Sequence, residues 1–209
     1  MTSKGPSPVD LESAAPASSR RSLLGALGAV GIAGAAAFAA ARPASAAPPT
    51  APTAGDKELL REAMRFELAA SALYRDAVDA GLTDVAAEVA AVFAENHVTY
   101  ADEIAGIAGF SADSMNEDIY DQFRSQFATD DVEAFAEVAS GLENTAAATH
   151  TSLLPDYVSI DARTLTAAVV VQEARMATVL IDLGGLASSL DDVFDIDAEP
   201  LTLTGGTTS

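Results

Sequence analysis

Phe66-Glu67-Leu68-Ala69-Ala70-Ser71-Ala72-Leu73-Tyr74 reads as a helix with one carboxylate where a core residue belongs. At about 3.6 residues per turn, Leu60, Ala63, Met64, Glu67, Ser71, Tyr74 and Val78 share one stripe. Every member except Glu67 is apolar, small or aromatic. A carboxylate in such company is costly unless a proton, a partner or a metal neutralises it. The device returns in Leu142-Glu143-Asn144-Thr145-Ala146-Ala147-Ala148-Thr149-His150. Two helices that each aim a Glu inward predict a bundle built around a buried polar site.

Working outward, the first helix is expected from about Asp56 to Ala80, stopped by Gly81. Thr83 and Asp84 can cap a second helix that runs to Ala108 and stops at Gly109. Its inward stripe is Ala86, Ala90, Phe93, His97, Tyr100 or Ala101, Ile104 and Ile107, which leaves Glu95, Asp102 and Glu103 facing solvent. A short helix is expected over Glu117 to Phe127. A further helix runs from near Asp130 to Leu154, before Pro155, with Val132, Ala136, Ala139, Glu143, Ala146, His150 and Leu153 inward. The last runs from about Asp161 to Leu183, before Gly184-Gly185, with Ala162, Leu165, Val169, Glu173, Met176, Leu180 and Leu183 inward. Short connections make each long pair an antiparallel hairpin, and the long middle connection can cross the bundle. No segment reads as a strand. The Glu67 stretch matches the Glu143 stretch at an offset of 76, and the region of His97 matches that of Glu173 at 79, so the hairpins look like a duplicated unit.

The 209-residue chain has no Cys and no Trp, which excludes disulfides, thiolate metal sites and cysteine nucleophiles. Its net charge is −20. From Ala47 onward, 7 basic residues stand against 29 acidic ones, a balance of −22 that makes nucleic acid and anionic membrane surfaces poor partners. The spread acids read either as a solubilising surface or as an adaptation to salty surroundings.

At the front, Ser19-Arg20-Arg21-Ser22-Leu23-Leu24-Gly25 leads into an apolar run from Leu23 to Ala41, then Ala44-Ser45-Ala46. A basic start, an apolar middle and a small-residue end make an export signal over residues 1–46, and the paired arginines resemble a twin-arginine signal. Cleavage after Ala46 leaves no stable membrane span; the competing reading is an uncleaved anchor. Residues 47–55 then form a flexible lead-in, 56–186 the bundle and 187–209 a polar tail, extended against the bundle or disordered.

Glu67, His97, Glu143 and Glu173 in this setting resemble the ferritin-like superfamily, in particular secreted ferritin-like domains behind twin-arginine signals. The resemblance implies an all-α, ferritin-like four-helix bundle of two antiparallel hairpins with a long crossover. It also implies a two-metal centre of iron or manganese, with one Glu from each of the first and third long helices and Glu-x-x-His from each of the second and fourth. Glu67 and Glu143 match the single-Glu positions. The Glu-x-x-His pairs fall on Ala94 and His97, and on Glu173 and Met176, so each keeps one member and loses the other. The metal ligands carried over are therefore Glu67, His97, Glu143 and Glu173, and no catalytic residue is carried over. Iron or manganese suits this set, with zinc behind them. A metal-free remnant kept as a structural or interaction module is the alternative, with Tyr74 and His150 placed to satisfy the carboxylates by hydrogen bonds. Ferroxidase activity would need the two missing ligands, and the substrate and protein partner cannot be read.

Overall fold

The chain's fold is taken from a computed structural model that describes residues 47–194 and 198–203. The segment expected to be an export signal, residues 1–46, lies outside the described residues. Thr53 opens α1 (Ala54–Ala80) with a capping box: its hydroxyl accepts from Asp56 N–H, and the Asp56 carboxylate accepts from Thr53 N–H. Gly81 then adopts φ 114°, a left-handed conformation that only glycine takes without strain. A three-residue turn leads to α2 (Asp84–Ala108), where Gly109 plays the same part at φ 77°. The short helix is α3 (Glu117–Phe127), capped by Asn116. Asp131 caps α4 (Val132–Leu153) and Ser159 caps α5 (Ile160–Leu183). One turn in the tail, α6 (Leu190–Phe194), was not expected from the sequence. Among the described residues there is no strand.

Packing sets the topology. One apolar cluster joins the second half of α1, the first halves of α2 and α4 and the end of α5 through Leu73, Phe93, Phe135 and Leu180. The other joins the start of α1, the end of α2 and the start of α5 through Leu60, Ile104 and Ala162, with Tyr157 of the α4–α5 turn. Thus α1–α2 and α4–α5 are antiparallel hairpins. The chain leaves α2 at one end of the bundle and starts α4 at the other, so the connection carrying α3 is the crossover. Phe127 at the end of α3 stacks edge-on against Tyr74 and Phe135, which fixes that crossover to the core. By length and composition α5 could cross a membrane. It instead spends its apolar face on the core through Ala162, Val169, Met176 and Leu180.

Several local readings change. Val132, expected on the inward stripe, is 36% exposed as the first residue of α4. The lead-in expected to be flexible is tied down: Pro49 and Thr50 carbonyls accept from Ile160 and Asp161 N–H. Asp56, given no inward role, is buried and also accepts from Val158 N–H (2.6 Å) and Ser159 N–H (3.2 Å), which staples the start of α1 to the α4–α5 turn. Part of the tail lies on the bundle: Leu201 and Leu203 pack on the first cluster, and Leu201 N–H donates to Thr149 Oγ1.

Candidate metal centre

Between the two apolar clusters the inward positions turn polar. Glu67 of α1, His97 of α2, Glu143 of α4 and Glu173 of α5 are 0% exposed, and His150 of α4 is 1% exposed. All four ligands expected from the sequence therefore reach the interior. They are linked in a chain that runs from Tyr74 to Glu173. Tyr74 O–H donates to Glu143 Oε1 (2.5 Å), and His97 Nε2 lies 3.1 Å from the same oxygen. His97 Nδ1 lies 2.7 Å from Glu67 Oε2. On the other side of Glu67, His150 Nε2 is 3.3 Å from Glu67 Oε1 and His150 Nδ1 is 2.9 Å from Glu173 Oε1.

The two sides of the chain differ in kind. His97 makes hydrogen bonds to both carboxylates, whereas neither nitrogen of His150 makes one despite its proximity to two oxygens. Glu67 Oε1, both oxygens of Glu173 and Glu143 Oε2 are likewise buried without a hydrogen-bond partner. Buried polar atoms that lack a hydrogen bond call for an ion or for retained protons. Glu67, His150 and Glu173 each offer one such atom, all within 4.8 Å of one another, so they form a buried group that could hold a metal. Two carboxylates and an imidazole fit iron, manganese or zinc.

Sequence reasoning put His150 on the inward stripe, placed to hydrogen-bond the carboxylates, but left it out of the ligand set. The signal that could have promoted it was present: it sits on the inward stripe two turns beyond Glu143, at the offset of 76 from Tyr74.

Without a cation the centre retains protons. Burial raises the Glu67 carboxyl above its ordinary 4.5, more than the His97 bond pulls it down. Burial would lower both imidazoles, but the carboxylates win. Glu143 and Glu67 lift His97 well above 6.5, and Glu173 with Glu67 lifts His150 to about 9. Burial and Glu143 also drive the Tyr74 phenol well above 10.0.

Residues 55–185, most of the described bundle, match the family model of the ferritin-like domain. The chain belongs to the ferritin-like family. Neither the curated proteins nor the solved structures gave a match. The ferritin-like bundle explains the site's location, since facing side chains at mid-height are where such folds place ions. In this ferritin-like protein two of the implied positions, Ala94 and Met176, carry no ligand for iron or manganese, and His150 comes from a position outside the implied set.

Proposed function

We propose that this ferritin-like protein is exported and binds one iron or manganese ion in its core, with Glu67, His150 and Glu173 as ligands. The observation that carries the reading is the set of buried ligand atoms of these three residues, all within 4.8 Å of one another and without hydrogen-bond partners. A bound divalent ion would replace retained protons as countercharge to the inward carboxylates and would supply a Lewis-acidic, redox-capable centre. The protein's own part is to exclude water and fix the ligands. Glu143, also buried, remains available through its unpartnered Oε2.

Metal analysis of the purified mature chain after refolding with Fe, Mn or Zn tests the reading, and the expected content is one ion per chain. Because His150 is held protonated to about pH 9 in the free protein, loading at pH 7 should release protons. Calorimetry in buffers of different ionisation enthalpy reads that release. The sign of the stability effect is also fixed. A raised imidazole pKa stabilises the free protein fully below about 6.5. That contribution is lost as pH rises through about 9, so the free protein should melt earlier in alkali and the loaded protein should not share the loss. Absence of metal at every condition would leave the metal-free module as the reading.

Export is supported by Arg20-Arg21 ahead of the apolar run. The double variant Arg20→Lys, Arg21→Lys is expected to leave the precursor in the cytoplasm, because a receptor reads the pair. Unchanged export in a fractionation experiment would point to the general secretory route.

A further inference from the structure

The ferritin-like family's centre implies two ions, and a histidine of α2 is one of its ligands. The residues here do not fit that arrangement. A two-ion centre would need a carboxylate at position 94, where the side chain is a methyl group, and an imidazole at 176, where it is a thioether. The space that a second ion would need between Glu67 and Glu143 is bridged by the His97 ring, with hydrogen bonds of 2.7 Å on one side and 3.1 Å on the other. Glu143 Oε1 is further engaged by Tyr74. To coordinate an ion, His97 would have to give up one of these bonds inside a site with no exposed surface; through Nδ1 that would leave Glu67 Oε2 unpaired, and through Nε2 it would leave Glu143 Oε1 to Tyr74 alone.

We infer that this protein's centre takes a single ion and that His97 is a positioning residue seated in place of the second. This rests on the reading of the core as a metal site and adds the division of labour within it. Glu67 has two oxygens with two tasks. Oε2 is held by His97, and Oε1, which makes no hydrogen bond, stays turned to the side where His150 and Glu173 lie. Glu143 and Tyr74 fix the far edge of the His97 ring, and Tyr74 also stacks on it at 5.5 Å with an interplanar angle of 19°. Such an outer partner typically affects metal affinity by about 10–100-fold.

The test loads the full mature chain with Mn²⁺, counts ions per chain and uses pulsed EPR to detect ¹⁴N coupling from coordinated imidazole. The expected parent result is one ion with one coordinated nitrogen. His97→Gln should keep one ion and that nitrogen signal, with affinity lowered by about 10–100-fold. His150→Gln should lose the signal. Two ions per chain, two coordinated nitrogens in the parent, or loss of the signal in His97→Gln would each overturn the inference while leaving the metal reading intact. A parent that takes up no Mn²⁺, Fe²⁺ or Zn²⁺ would overturn the metal reading itself. Should His97→Gln not fold by circular dichroism, the count of nitrogens in the parent still decides.

Discussion

Replacing His150 with Leu is expected to lower Mn²⁺ or Fe²⁺ affinity by more than about 10²-fold, beyond the range typical of a residue that only supports a ligand. The substitution keeps bulk on an interior helix face but removes the only nitrogen in the trio. It also strips Glu173 of its nearest buried neighbour, the imidazole nitrogen 2.9 Å away. Removing one member of a buried charged pair destabilises by about 3–5 kcal/mol when nothing compensates. A loss of about 3–5 kcal/mol in the free protein is therefore expected at neutral pH. Metal titration and thermal melts of the same preparation check both halves. An unchanged affinity would exclude His150 as a ligand.

The second large effect concerns a residue remote from the centre. Asp56→Ala is expected to destabilise the free protein by about 2–4 kcal/mol, with little change in metal affinity. Asp56 accepts from Thr53 N–H, Thr53 O–H, Val158 N–H and Ser159 N–H. Its removal leaves the Ser159 donor buried and unpaired at the start of α5. For a domain of this size each kcal/mol shifts the melting temperature by about 2–4 °C, so a drop of about 10 °C is expected. The pH dependence follows from the sign of the shift. Burial opposes ionisation, but the Thr53, Val158 and Ser159 hydrogen bonds prevail and hold the carboxyl below its ordinary 3.8. The stabilisation is complete above that value and fades as pH falls through the lower folded one. The gap between parent and variant should therefore be constant near neutrality and close only in strong acid. Thermal melts across pH measure it, and a constant gap down to the lowest pH would mean that the carboxylate's charge is irrelevant.

These two residues also show what was legible beforehand. Helix ends could be read where glycine stops act locally: Gly81 and Gly109 needed no knowledge of their neighbours in space, whereas Thr83, read as a cap, makes no side-chain capping bond. The inward stripes could be read because the helical period does not depend on tertiary structure, and Glu67, His97, Glu143 and Glu173 all proved buried. Contacts across the chain were not legible. Asp56 meets donors 102 and 103 residues away, and no periodic pattern marks it for burial. The tail's anchorage through Leu201 depends on a hydroxyl that α4 presents only once folded. At the centre, the stripe placed His97 and His150 equally well. Which ring meets its carboxylates in hydrogen-bond geometry depends on how the helices pack together, and no stripe on a single helix encodes that.

The complete burial of Glu67, His150 and Glu173 has a kinetic consequence. No exposed ligand atom offers an incoming chelator a foothold, so an ion bound there as proposed would not be handed over by stepwise displacement at the surface. It would leave only when the helices separate locally, an event whose frequency belongs to the bundle and not to the competitor. Residence time and affinity are thereby uncoupled: tighter packing around the centre would lengthen the stay of an ion without any change in the atoms that bind it.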